Sequence, residues 1–159
     1  MREAGMITPR HDEPICQVCL GGEFKMSKES GFQDITIGLD LGTMEMTLDE
    51  KTINDWVVLV QWQAKKLVDN LHVAPPGTSI ERHPRMEFAK FSDLRAGIWA
   101  KSEHEFLKPI EVGSKIFIHG KVANKYVKRN RNYVVTEYET LDEAGEVVMR
   151  SRETGVYLE

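Results

Sequence analysis

The sequence predicts an α+β domain that pairs a long antiparallel sheet with one long apolar helix, either wrapped by the sheet or packed on it in another sandwich topology. Three observations predict it. From Trp99 to Leu158, apolar and polar side chains alternate in runs separated by turn residues. From Thr52 to Leu71, apolar residues recur at helical spacing. A further alternating run, Gln33 to Leu41, precedes that helix.

Composition bounds the answer. The chain has 159 residues, 41% hydrophobic and 29% charged, which describes one soluble globular domain large enough for a core. It carries no apolar run of bilayer length, and "MREAGMITPRHDEP" lacks an apolar signal core, so the expectation is a cytoplasmic protein without membrane association. A formal charge of −4 argues against general nucleic-acid binding. The expected organisation is an irregular segment over 1–32 and a single domain over 33–159. Cys16 and Cys19, the only cysteines, form a C-x2-C pair in that first segment. Such a pair is half a zinc site, and no second pair follows, so ordinary thiols and no metal are expected.

The elements follow in order. Ile35, Ile37, Leu39 and Leu41 alternate with polar residues and predict a half-buried strand over 33–41. Met44, Met46 and Leu48 continue the alternation beyond Gly42, past a bulge. Thr52 then suits a helix N-cap, with Asp55 favouring the positive helix end. Ile53, Trp56, Val57, Val60, Ala64, Leu67, Val68 and Leu71 form the apolar stripe, and Val58, Leu59 and Trp62 widen it. The helix is therefore expected to be mostly buried and roughly 30 Å long at 1.5 Å per residue. "APPGTS" cannot be a helix interior. His83, between Arg82 and Arg85, reads as part of a solvated loop, and "RMEFAKFSDLRAG" as a short helix ending at Gly97. Four strands complete the chain: Trp99–Leu107, Lys115–Val127, Tyr133–Leu141 and Val147–Leu158. Pro109 and Gly113 stop the first, "KRNRN" is a polar hairpin tip, and "DEAG" turns the last pair. His104 shares a face with Phe106 and reads as a core or interface histidine.

The phrase "HEFLKPIEVGSKIFIHGKV", followed by "YVVTEYETLDEAGEVVMRS", resembles the sheet of MaoC-like proteins with the hot-dog fold. The matching residues are Glu105, Phe106, Pro109, Val112 and Gly113, with Ser114 where the family usually has Asp. Ala74, Pro75 and Pro76 look like an "APP" phrase of some dehydratase halves. The resemblance implies a hot-dog fold: a long antiparallel sheet around a helix. It also implies an acyl-thioester substrate, with no cofactor beyond coenzyme A as part of that substrate, and a homodimer or heterodimer of hot-dog units.

Hydratases of this family hold an Asp and a His in a Gly-Asp-x-Asn-Pro-x-His loop, where the two act as acid and base. The nearest match here is "VDNLH", which puts Asp69 and His72 forward as the catalytic pair. Val68 stands for the Gly, the Pro is missing, and the phrase ends the long helix instead of preceding it. The bland alternative is a solvated helix end with His72 at its negative terminus. A second feature is a hairpin rich in cations. Lys125, Lys128, Arg129 and Arg131 are candidates for the coenzyme A phosphates, and Tyr126 and Tyr133 lie among them. A solvated hairpin tip, or a single-stranded nucleic acid held by cations and aromatics, are the other readings of that stretch.

The function expected is an (R)-specific enoyl-CoA hydratase or 3-hydroxyacyl dehydratase acting on an acyl-CoA or acyl-carrier thioester. One alternative is a non-catalytic hot-dog subunit that binds acyl-CoA and completes a partner's active site. A hot-dog thioesterase is the further alternative.

Overall fold

The computed structural model describes residues 31–63, 65–91 and 96–158. Cys16 and Cys19 lie outside the described residues, as does all but the end of the segment expected to be irregular. A single 3₁₀ turn, Phe32–Asp34, leads to β1 (Asp40–Thr47). Four helices follow: α1 (Glu50–Leu59), α2 (Lys65–Leu71), α3 (Gly77–Ile80) and α4 (His83–Lys90). Then come β2 (Ala96–Phe106), β3 (Lys115–Lys128), β4 (Arg131–Leu141) and β5 (Val147–Leu158). The strands form one antiparallel sheet in the order β1-β3-β4-β5-β2. No helix among the described residues is long and apolar enough to cross a membrane.

Alternation places the core as the sequence predicts in the second half. Ile116, Ile118 and Val122 of β3 are fully buried, joined by Val134 and Tyr138 of β4 and Leu41 of β1. Ile53 and Val57 of α1, Val68 of α2 and Met86 of α4 close the core from the other side. The β3–β4 hairpin turns through Arg129 and Asn130, with φ of 50° and 56°. Positive φ at both positions is what a two-residue turn needs to match the strand twist.

The long helix is not continuous. It stops at Leu59 and resumes at Lys65. Gln61 takes φ 53°, its N–H donates to the Val58 carbonyl (3.3 Å), and the Trp62 N–H donates to the Val57 carbonyl (3.0 Å). This pair of bonds is a Schellman motif. Its usual hydrophobic contact is present too, with the Trp62 ring edge-on to Trp56 at 6.1 Å. The cause is an excess of apolar residues over available core. Ile53 and Val57 are buried, whereas Val58 and Leu59 are 75% and 74% exposed. The N-cap is Asp49, not Thr52: its Oδ1 accepts from the Thr52 N–H at 2.7 Å. That bond holds the Asp49 carboxyl below its ordinary range. The helix lying on the middle of the sheet is instead α4. It begins at His83, earlier than expected, and ends at Lys90, while Gly97 belongs to β2.

The first strand also begins late. The Leu39 N–H donates to the Thr36 carbonyl at 3.2 Å, and Gly38 has φ 87°. A glycine at that place in the turn supplies the positive φ a type II turn requires. The turn breaks the alternation, so Ile35 is buried and Ile37 is 62% exposed. Regular pairing starts at Asp40, with an irregularity between Asp40 and Gly42.

Two outcomes follow for stability. Ile118→Ala is expected to cost about 3 kcal/mol in denaturant unfolding, and Ile37→Ala to stay within about 0.5 kcal/mol. Equal losses would restore the longer strand. Gln61→Gly is expected to stabilise the fold by about 0.5–1 kcal/mol and so raise the unfolding midpoint, because glycine takes the left-handed position without a Cβ penalty. A lower midpoint would remove the helix break from the native state.

Candidate functional site

The sequence-predicted acid–base pair sits where α2 ends. His72 follows the last helical residue with φ 51°, and its N–H donates to the Val68 carbonyl at 2.9 Å. This is a one-bond left-handed helix cap, and His tolerates that region better than most side chains. The His72 carbonyl accepts from Val112 N–H (2.8 Å), and Ala74 N–H donates to Ile110 (2.8 Å). The Pro-Val-Gly phrase before β3 therefore anchors the segment that carries His72. Asp69 and His72 line one pocket of about 290 Å³ with Glu50, Asn54, Ile53, Val68 and Val112. Both side chains are exposed, and among the described residues no hydrogen bond joins them.

The hairpin cations lie elsewhere. Lys125 Nζ donates to the carbonyls of Phe32 and Gln33, at 3.0 Å each, and sits 4.9 Å above the Phe32 ring. It ties the start of the described chain to β3. Lys128, Arg129 and Arg131 are exposed at the tip, beside the stacked pair Tyr126–Tyr133 (4.8 Å). Val112 and Lys128 flank opposite ends of β3. At about 3.3 Å per residue that strand runs on the order of 40 Å. The structure thus does not bring the hairpin cations to the Asp69 and His72 pocket. Among the described residues, no group of three or more His, Cys, Asp or Glu could hold a metal ion.

A third constellation was not legible as a site. His83 is the first residue of α4 and is fully buried, not part of a solvated loop. Its Nδ1 bonds Glu153 Oε1 on β5 at 2.7 Å, and its ring stacks on Tyr138 at 3.9 Å. One helical turn on, Glu87 is 6% exposed. Its Oε1 accepts from Thr136 (2.5 Å) and from the Tyr138 hydroxyl (2.9 Å), both on β4. Burial pushes the Glu87 carboxyl up to about 7; those hydrogen bonds oppose the shift and the nearby Glu153 adds to it. Burial, and then Glu87, drive the Tyr138 hydroxyl well above its ordinary range. His83 Nε2 and Glu153 Oε2 are buried with no hydrogen-bond partner among the described residues. On the β2 side, His104 Nδ1 is 2.9 Å from Ser151 Oγ, and partial burial lowers its pKa.

Two signals could have found this group. His83 and Glu87 are four apart on one helix face, and Thr136, Tyr138, Ser151 and Glu153 occupy inward positions of their strands. A polar residue at an inward position calls for a buried partner. Chemically, a buried carboxyl that titrates near neutrality can donate or accept a proton.

No protein-family model matches the chain, and no curated protein matches it in sequence. Solved structures do match in three dimensions. The R-hydratase PhaJ1 of Pseudomonas aeruginosa aligns with TM-score 0.65 and 12% identity over 80% of this chain and 85% of that one. A MaoC-like dehydratase from Rhodospirillum rubrum aligns with TM-score 0.60 and 17% identity over 80% and 96%. The HadBC (3R-hydroxyacyl-ACP dehydratase) complex of Mycobacterium tuberculosis aligns with TM-score 0.57 and 15% identity over 76% and 99%. The sheet order, the helix on its inner face and these alignments give this chain the hot-dog fold of MaoC-like dehydratases and R-hydratases.

Proposed function

We propose that this chain is a hydro-lyase unit acting on acyl thioesters, of the (R)-specific enoyl-CoA hydratase or 3-hydroxyacyl dehydratase type. Asp69 and His72 are its acid–base pair. The observation that carries this reading is that both side chains line one pocket, beside apolar Ile53, Val68 and Val112. Hydration breaks the C=C π bond of a 2-enoyl thioester. Water oxygen bonds the β-carbon, one group takes a proton from the water, and the other gives a proton to the α-carbon. A carboxylate and an imidazole in one pocket suit those two tasks. The shared fold with an R-hydratase and a hydroxyacyl dehydratase supports the substrate class.

A second reading has its own support. In it, the chain is a non-catalytic half that binds acyl-CoA and completes a partner's site. The absence of a hydrogen bond between Asp69 and His72 favours it. So does the exposed apolar end of α1, where Val58, Leu59 and Val60 have no cover from the described chain. HadBC is itself a complex of hot-dog units, which supports a dimeric working form. In either form Lys128, Arg129 and Arg131 meet coenzyme A phosphates from a neighbouring unit, because their own pocket lies at the far end of β3.

The test is hydration of crotonyl-CoA by the purified chain, followed as loss of enoyl-thioester absorbance. Wild-type turnover that falls by about 100-fold or more in Asp69→Asn/His72→Ala is the expected result. Turnover unchanged in that variant would remove both residues from the chemistry. No wild-type turnover, with coenzyme A still bound, would select the non-catalytic reading.

A further inference from the structure

A second cavity opens beside Glu87. It has a volume of about 170 Å³ between α4 and the paired strands β2 and β5. Pro84 and Phe88 of α4, Ile98 and Trp99 of β2 and Tyr157 of β5 wall it, and Glu87 is the one carboxyl in its lining among the described residues. Two glycines make the room. A Cβ on Gly155 would stand 2.8 Å from the Tyr157 ring, and one on Gly97 would stand 2.9 Å from it. The Tyr157 ring can lie over this backbone only because both residues lack a side chain, and Phe88 meets it edge-on at 6.2 Å.

The orientation of Glu87 gives the slot its chemistry. Oε1 is occupied by the Thr136 and Tyr138 hydroxyls. Oε2 makes no hydrogen bond within the described chain, although the residue is 94% buried, being 6% exposed. Unlike Glu153 Oε2, it is not among the fully enclosed oxygens, so it stays free to bond a ligand or water. Among the described residues the walls offer no cation and no other carboxyl, so Oε2 is open to a polar group of the ligand. At about 30 Å³ per water-sized group, the space takes on the order of six heavy atoms.

We propose that this slot is a second binding site, for a short uncharged carbonyl compound whose oxygen accepts a hydrogen bond from the Glu87 carboxyl while its aliphatic part lies against Trp99, Ile98 and Tyr157. The site does not depend on Asp69 and His72. Among the described residues, Tyr138 on β4 bonds Glu87 and Glu153 on β5 lies near it, while His83, one turn back on the same helix, stacks on Tyr138. Of the residues of β2 whose side chains are described, Gly97, Ile98 and Trp99 line the slot. A carboxyl that burial holds protonated up to about pH 7 is a donor below that pH and loses the proton above it. Binding of a carbonyl acceptor therefore weakens as pH rises.

Butyramide is the probe, and tryptophan fluorescence the readout, at about pH 6 and pH 8.5. The expected result is a saturable change that Trp99→Phe removes, with affinity at least about tenfold weaker at the higher pH. Glu87→Gln keeps a neutral donor, so it retains binding and loses the pH dependence. Ile98→Trp, at an exposed position, fills the slot and abolishes binding without needing Glu87 to change. Affinity equal at both pH values, or binding that survives Ile98→Trp, would overturn the proposal. So would tetramethylammonium binding that strengthens at pH 8.5, since that would make the slot an aromatic cage around a carboxylate. Butyramide binding unchanged in Asp69→Asn/His72→Ala keeps this site separate from the hydro-lyase reading, and its loss there would merge the two and overturn it.

Discussion

The hydrogen bonds of Glu87 and His83 to the sheet fix where α4 lies, and the rest of the domain is arranged around that contact. An eight-residue helix buries too little apolar surface to choose one place on a sheet. Here Glu87 reaches Thr136 and Tyr138 on β4, while His83 reaches Glu153 on β5. Each of these partners is buried, so a shift of the helix by one turn would strand several polar groups at once. The arrangement has a cost that depends on pH. The folded carboxyl of Glu87 titrates near 7, above its ordinary 4.5. The stability its protonated form contributes is full below about 4.5 and is lost as pH rises through about 7, a swing of about 3 kcal/mol.

The sheet solves a different problem on its other face. Across β3, β4, β5 and β2 the outward residues run His119, Glu139, Arg150, Glu105 in one row and Lys121, Glu137, Arg152, Glu103 in the next. Arg150 pairs with Glu139 and Glu105, and Arg152 with Glu137. Exposed pairs of this kind each contribute between about 0 and 1 kcal/mol. Their larger effect is on register, since a slip by one residue would turn these charges inward and Tyr138 outward. Polar groups therefore fix register from outside and helix position from inside.

Legibility followed the range of the interactions. β5 was read as Val147–Leu158, its bounds in the structure, because alternation and the Gly145 turn are local signals. The break after Leu59 was not legible: the left-handed position holds Gln61, where Gly is the usual mark. Ile35, Ile37 and Leu39 look like a strand, yet the turn at Gly38 takes Ile35 and Ile37 out of regular pairing, while Gly38 and Leu39 bond β3 at Val122. Within the candidate sites, Asp69 and His72 could be singled out because they stand in one short phrase. Glu87, Thr136 and Glu153 are scattered in sequence and meet only through the packing of α4 on β4 and β5. No local pattern encodes that meeting.

The two candidate centres differ in water, and that difference bears on what each can do. Asp69 and His72 line an open pocket, where their exposed side chains stay solvated. Acid–base work on a thioester gains from a dry site, because charge stabilisation weakens as the dielectric rises. A cover over that pocket would strengthen it, and a second hot-dog unit is one source of such a cover. Glu87 needs no cover to be perturbed. Its own chain removes most of the water and holds one oxygen with two hydroxyls. The surroundings of Asp69 and His72 are thus open to what assembles beside them, whereas those of Glu87 are already set by the single chain.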